Sequence, residues 1–143
     1  MTQTDDTRAV VDDLLQRVVA GDPAKIAELY AEQVAWELAW PADEYDGAVP
    51  WIRHRSTRAD VEDHYRTVAA FTVPKESSAD IGAVLVDGSN AAVVGALGHT
   101  LRGNGARYRV EFVLYLTVSD GLITRHHIVE DNLTIRRAFD VVG

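Results

Sequence analysis

The chain contains no cysteine, and this absence excludes three kinds of chemistry. Disulfide bonds, thiolate nucleophiles and cysteine-ligated zinc all need cysteine sulfur. Positive charge is also scarce, because 14 lysines and arginines stand against 22 aspartates and glutamates, for a formal net charge of -8. A nucleic-acid binder needs a basic face to neutralise phosphates, so we expect no nucleic acid as partner, and no anionic membrane surface either.

Long apolar segments are missing as well. No segment approaches the roughly 20 apolar residues of a membrane helix, and the opening MTQTDDTR lacks the pattern of a signal peptide. These features predict a cytoplasmic protein with no membrane partner. A length of 143 residues with 47% hydrophobic content is sufficient for a core, and without a repeat or linker we predict one domain over residues 1–143.

The first half of the chain has helical patterning. A 3.6-residue period predicts a first helix, ended by Gly21, whose apolar stripe is Val10, Val11, Leu14, Leu15, Val18 and Val19. Asp22-Pro23 is a capping pair that starts a second helix, with Ile26, Leu29 and Tyr30 as its buried stripe. After a short strand from Val34 to Trp40 and a loop to Arg55, Ser56 or Thr57 caps a third helix.

The second half reads as strands separated by glycine- and asparagine-containing turns. The predicted strands are about Ala79–Val86, Ala91–Arg102, Arg107–Ser119 and Leu122–Glu130, and Asp131 is expected to cap a short terminal helix. In the third of these, every second residue from Tyr108 to Val118 is apolar, which predicts one face packed on helices. Helices followed by antiparallel strands indicate an α+β fold.

Three segments carry a resemblance to a known family: VVAGDPAKIAELYAEQVAW, GHTLRGNGARYRVEFVLYLTVSDGLI and HHIVEDN. In these segments and in the order of its elements, the chain resembles the SnoaL-like and ketosteroid-isomerase-like families of the nuclear-transport-factor-two-like superfamily. The resemblance implies a cone-shaped α+β barrel, with three N-terminal helices packed on a curved, mainly antiparallel sheet. It also implies a ligand pocket between sheet and helices, and activity without a cofactor.

The chain departs from the ketosteroid isomerases at their reactive positions. That family has a tyrosine on the first helix, an aspartate after the first strand and an aspartate on the penultimate strand. The matching positions here are Leu14, Leu38 and Leu114, so dienolate chemistry by that constellation is disfavoured. The Arg/Asp pattern of limonene-epoxide-type hydrolases also has no clear match. The remaining resemblance is to SnoaL-like polyketide cyclases.

Four polar residues are candidates for catalysis in such a pocket: His64, His99, His126 and Glu130. His64 lies on the apolar stripe of the third helix with Val61, Tyr65 and Val68, and His99 shares strand parity with Leu97 and Leu101. Family alignment directs His126, Ile128 and Glu130 inward and leaves His127 facing outward. Imidazoles titrate near neutral pH, and a carboxyl in an apolar pocket favours its neutral form, so we predict an acid–base cluster.

Apolar and aromatic residues are expected to bind the substrate. Trp36, Leu38 and Trp40 share one face of the first strand, and Tyr45 and Trp51 lie on the loop that could close the pocket mouth. The remaining predicted wall residues are Tyr65, Leu97, Leu101, Phe112, Leu114, Leu116 and Ile128.

The prediction is a cofactor-independent cyclase or isomerase that closes a ring in a hydrophobic, polyketide-like molecule. The histidines lack the short i, i+4 spacing of metal ligands, so we predict no metal. Two alternatives stay open: a non-catalytic carrier of hydrophobic ligands, and an epoxide hydrolase of the same fold. The outer sheet face, with Val113, Tyr115 and Val129, is expected to form a homodimer.

Overall fold

The computed structural model describes residues 2–41, 43 and 47–142. Five strands form one sheet in the order β1-β5-β4-β3-β2, in which β1 pairs with β5 in parallel and all other neighbours are antiparallel. The helices and strands are α1 Gln3–Ala20, α2 Pro23–Ala27, β1 Tyr30–Leu38, α3 Arg58–Phe71, β2 Ser78–Asp87, β3 Asn90–Thr100, β4 Arg107–Ser119, β5 Leu122–Glu130 and α4 Asn132–Phe139. The α+β fold and the mainly antiparallel sheet are therefore confirmed.

The helix starts follow local capping chemistry. The side chain of Asp22 accepts hydrogen bonds from the backbone at the start of α2, and Thr57 forms a capping box with Asp60 at the start of α3. Asp131 caps α4, which is a fourth helix beyond the three N-terminal ones. Each of these caps satisfies backbone N–H groups that a helix leaves without an internal partner.

Two of the predicted apolar stripes extend too far. Val18 and Val19 in the last turn of α1 are exposed, because α1 packs on the sheet through Val11 and Leu14 in its middle. Tyr30 does not belong to α2, which ends at Ala27, but is the first residue of β1. The first strand was predicted to begin at Val34, whereas β1 begins at Tyr30. Trp40, the predicted last residue of this strand, lies beyond its end at Leu38.

Alternation along β4 gives the sheet its two faces. Tyr108, Val110, Phe112, Leu114 and Leu116 are buried on the concave face, and the residues between them are exposed up to Tyr115. One cluster of core residues packs α1, α2 and α3 against the middle of this face. A second packs α4 and the segment Val49–Ile52 against its other end. None of the helices in the described ranges is long and apolar enough to span a bilayer.

Candidate active site

His126 is the centre of a buried aromatic group on the concave face. It lies on β5 beside Trp36 of β1, its side chain is almost completely buried, and its ring stacks on the indole with centroids 3.8 Å apart. The hydroxyl of Tyr30 is hydrogen-bonded to its Nδ1 at 2.8 Å. The parallel pairing of β1 and β5 brings these side chains together on the concave face. His126 was predicted to point toward this face.

His64 reaches the same group from α3. Its ring packs edge-on against Trp36 with centroids 4.9 Å apart, and the His126 ring centroid is 6.3 Å away. Nδ1 of His64 is hydrogen-bonded to the backbone carbonyl of Trp51 at 3.4 Å. The structure therefore brings together two of the four predicted catalytic residues.

Both imidazoles are held in the neutral form. Burial, with a smaller contribution from the positive charge of Arg55, lowers the pKa of His64 to about 3. Burial also lowers the pKa of His126 well below its ordinary value, and the neighbouring His64 acts in the same direction. Rings with such low pKa values are hydrogen-bonding groups at neutral pH and weak proton acceptors.

Tyrosines complete this group. Burial raises the pKa of Tyr65 to about 12, while a hydrogen bond with Tyr30 acts in the opposite direction. The ring of Tyr65 is edge-on to His64, with centroids 4.9 Å apart. Tyr30 thus connects Tyr65 with His126, and all these hydroxyls stay protonated at neutral pH.

Glu130 lies on the same face of β5 as His126 but four residues further along. Four residues of a strand span about 13 Å, so the carboxyl lies apart from the group around His126. It is opposite Phe112 of β4, and burial raises its pKa to about 7. No ion pair involves Glu130 within the described part of the chain.

His99 lies at the end of the concave face where β4 begins, and not in the group around His126. It is opposite Tyr108 of β4, and its Nδ1 is hydrogen-bonded to the hydroxyl of Ser77 at 2.8 Å. Burial, with the nearby charge of Glu130, raises the pKa of Tyr108. The predicted cluster of four is therefore divided: His64 and His126 lie together, whereas Glu130, opposite Phe112, and His99, opposite Tyr108, lie apart from them and from each other along the face.

The predicted wall residues fall into three sets. Those that remain partly exposed while packing against the two core clusters are Trp36, Leu38, Trp40, Tyr65, Leu97 and Ile128. Those buried in the core, where a ligand would need side chains to move, are Trp51, Leu101, Phe112, Leu114 and Leu116. Tyr45 lies outside the described residues.

Two open cavities lie near these residues, and His99 is the one predicted catalytic residue among their lining residues. A groove of about 730 Å³ beside β1 is lined by Trp36, Leu38 and Trp40 together with the polar residues Glu37, Asp43, His54 and His127. A smaller cavity of about 280 Å³ is lined by His99, Tyr108 and neighbouring residues. Trp36, on which the ring of His126 stacks, and His99 thus each border an opening to solvent.

Sequence reasoning missed Tyr30, Tyr108 and Arg55 as site residues. The two tyrosines were assigned to apolar stripes, and only the tertiary fold shows that their hydroxyls contact polar partners. Arg55 was placed in a loop, yet its guanidinium is buried against Trp36, with its central carbon 5.9 Å from the indole centroid. A lone arginine near a tryptophan gave no periodic signal that would predict this burial.

Comparisons with known proteins agree with the fold. The family model described as SnoaL-like domain matches residues 11–126. Among curated proteins, none matches the chain in sequence.

Solved structures show the same fold. A candidate ketosteroid isomerase from Kribbella flavida is 26% identical, with a TM-score of 0.64 over 92% of this chain and 82% of that one. An NTF2-like protein of unknown function from Burkholderia pseudomallei is 15% identical, with a TM-score of 0.79 over 95% and 98%. TsrD from Streptomyces laurentii is 19% identical, with a TM-score of 0.69 over 92% and 95%.

Proposed function

The chain belongs to the SnoaL-like domain family, and from this premise we propose that it is a cofactor-independent cyclase or isomerase for a hydrophobic, polyketide-like small molecule. The family and the ketosteroid-isomerase-like neighbour support a protein of the isomerase or cyclase type. The fold hosts many activities and does not select a reaction by itself. The choice of reaction therefore rests on the residues of this chain.

The placement of Glu130 is the observation that carries the proposal. A carboxyl on an apolar face with no ion-pair partner in the described residues destabilises the fold, so its presence favours a chemical role. Its pKa of about 7 suits a group that both accepts and donates a proton at neutral pH. The imidazoles, with much lower pKa values, are better suited to orient the substrate through hydrogen bonds.

The proposed reaction is an intramolecular aldol closure. The Glu130 carboxylate removes a proton from a carbon next to a carbonyl, and the enolate carbon attacks a second carbonyl of the same molecule. The new alkoxide oxygen takes the proton back from Glu130, so that no cofactor or second reactant is needed. Trp36, Leu97 and Ile128 would fold the flexible substrate into the reactive conformer, which supplies part of the rate enhancement.

A model diketone tests this proposal. The aldol closure of 1-phenylhexane-1,5-dione and loss of water give 3-phenylcyclohex-2-enone, whose conjugated absorption reports turnover. Glu130→Gln should lower kcat/KM by about 10²–10⁴-fold, the usual contribution of a general acid–base group. The matched control is Glu111→Gln on the exposed face of β4, which should keep the wild-type rate.

Two outcomes would contradict the proposal. A Glu130→Gln enzyme with the wild-type rate would show that this carboxyl carries no proton in the reaction. Wild-type protein that binds the diketone without turning it over would support the rival function, a carrier of hydrophobic ligands. An epoxide hydrolase would instead incorporate oxygen from ¹⁸O-labelled water into a diol made from an epoxide such as styrene oxide.

We also propose that the protein is a homodimer through the outer sheet face. Val94, Val113 and Val129 are side by side on three neighbouring strands, and each is exposed. Tyr115 extends this apolar surface, which we call the valine surface. A contiguous exposed apolar patch is typical of an interaction site.

A further inference from the structure

One backbone carbonyl, that of Trp51, determines the hydrogen-bonding state of His64. A carbonyl oxygen only accepts hydrogen bonds, so Nδ1 of His64, at 3.4 Å, must be the nitrogen that carries the proton. In a neutral imidazole the other nitrogen, Nε2, then has a free lone pair. Nε2 makes no hydrogen bond with the described residues.

Arg55 holds the same carbonyl in place. Its side chain is 1% exposed, and its guanidinium donates to the carbonyl of Trp51 at 3.4 Å, to that of Asp60 at 2.7 Å and to the carboxylate of Asp63 at 2.9 Å. These bonds connect the loop with α3, which carries His64. The Nε atom of Arg55 is buried without a hydrogen-bond partner in the described residues.

The charges around His64 disfavour its protonation. Arg55 and Arg53 approach from the loop, Asp63 from its own helix and His126 from β5. The Asp63 carboxylate is half exposed and shared between the two arginines, so solvent screens it, whereas the guanidinium of Arg55 is enclosed. The enclosed positive charge of Arg55 would repel a cationic ligand but not a neutral one.

We propose that Arg55 is a positioning residue that fixes His64 as the Nδ1–H tautomer, so that Nε2 accepts a hydrogen bond from a neutral hydroxyl of the substrate. The substrate class is then an apolar molecule with an enol or phenol hydroxyl, bound against Trp36. A carbonyl oxygen would be rejected at this position, because two acceptors would face each other, so the carbonyls of a diketone substrate would be placed away from Nε2 of His64. The inference rests on the proposed function for its substrate, while its test requires no turnover.

The tautomer can be measured directly in protein labelled with ¹⁵N-histidine. Long-range ¹H–¹⁵N spectra, with His64→Phe to assign the signals, should show His64 protonated at Nδ1 and bare at Nε2 from pH 8 to pH 5. Arg55→Lys keeps the charge but loses the planar fork of donors, and should give a mixture of tautomers. Arg53→Lys is the matched control, since Arg53 contacts Asp63 but is exposed and makes no hydrogen bond with Trp51.

The spectra of the wild type and the variants can each contradict the positioning role of Arg55. A proton on Nε2 in the wild type, or an unchanged tautomer in a folded Arg55→Lys protein, would overturn the proposal. If Arg55→Lys does not fold, Asp63→Asn weakens the hold on Arg55 and should also produce mixed tautomers. An Asp63→Asn protein with the wild-type tautomer would then count against the positioning role.

Ligand selectivity provides a second test with 2-naphthol and 2-methoxynaphthalene, which differ in one hydrogen-bond donor. Calorimetry should show 2-naphthol binding about tenfold more tightly, as expected for one buried hydrogen bond, and the difference should disappear in His64→Phe. Equal affinities in the wild type would overturn the substrate assignment. Because no turnover is measured, failure here leaves the Glu130 assay intact, and failure of that assay leaves this one intact.

Discussion

The ring of His126 lies face to face with the indole of Trp36, with an angle of 2° between the two planes. This stack connects neighbouring strands on the concave face and leaves the imidazole little freedom to rotate, since Nδ1 is also bonded to Tyr30. Aromatic pairs of this kind contribute about 0.5–1.5 kcal/mol beyond their buried area. A fixed ring of known orientation is what a binding site for a planar ligand requires.

Removal of the Tyr30 hydroxyl should destabilise the fold. Tyr30→Phe leaves Nδ1 of buried His126 without a partner, and an unsatisfied buried polar group costs about 1–3 kcal/mol of unfolding free energy. Urea unfolding monitored by circular dichroism measures the difference. Tyr115→Phe is the control, because its hydroxyl bonds Asn90 at the surface, and it should change stability by less than about 0.5 kcal/mol. Equal effects of the two changes would contradict the buried hydrogen bond.

Stability should depend on pH through groups of opposite sign. The pKa values of His64 and His126 are below their ordinary 6.5 in the folded protein, so the unfolded chain binds more protons below that pH and the histidine contribution is lost on acidification. Glu130 has the opposite effect on the pH dependence of stability. Its pKa is about 7 when folded against an ordinary 4.5, so the folded protein binds the proton first and gains stability as the pH falls through this window.

The Glu130→Gln variant separates these contributions. Without the opposing carboxyl, the unfolding free energy should fall more steeply than in the wild type between pH 6.5 and pH 4.5, by at most about 1.4 kcal/mol for each pH unit. Urea unfolding at pH 6.5, 5.5 and 4.5 gives the two slopes. Glu111→Gln should have the wild-type slope, and parallel slopes for Glu130→Gln would mean that burial does not raise the pKa of Glu130.

A close approach of β3 to β2 requires glycine at position 95. A methyl group added at Gly95 would lie 2.3 Å from the carbonyl oxygen of Asp80, so the backbone must shift, and overpacking of this kind costs about 1–3 kcal/mol. Thermal unfolding should show Gly95→Ala as clearly less stable than the wild type. Gly82→Ala is the control, since its methyl group would make ordinary contact at 3.4 Å. A Gly95→Ala protein as stable as Gly82→Ala would contradict the packing of these strands.

The valine surface should determine the oligomeric state. Val113 and Val129 are register partners on β4 and β5, so replacing both by lysine puts two adjacent charges into the proposed interface. Light scattering after gel filtration should give a dimer for the wild type and a monomer for the double variant. Val19→Lys, at an exposed position of α1, should remain a dimer. A wild-type monomer at micromolar concentration would rule out the proposed interface.

Much of the fold was predictable because its signals are local. The bounds of β4 and β5 were predicted to the residue, since alternation and glycine-containing turns define them. The caps at Asp22 and Asp131 were predicted for the same reason, and the cap of α3 was narrowed to Ser56 or Thr57, of which the structure selects Thr57. The start of β1 was not, because Tyr30 continues the apolar pattern of α2 while its backbone already pairs with β5.

The candidate site was predictable only in part. Helix periodicity indicated that His64 faces the sheet, and the family resemblance directed His126 to the same concave side. Neither signal could show that His99 and Glu130 lie apart from this pair, because each assigns a face and not a position along it.

The sequence by itself determined the α+β class, the family resemblance and the residue types available for chemistry, since these depend on composition and short-range periodicity. The tertiary structure decided which polar groups meet. The parallel pairing of β1 with β5 places Trp36 on His126, and the return of the loop to α3 buries Arg55 beside His64. Such contacts join residues tens of positions apart, and burial then shifts their pKa values, so no local pattern in the chain contains them.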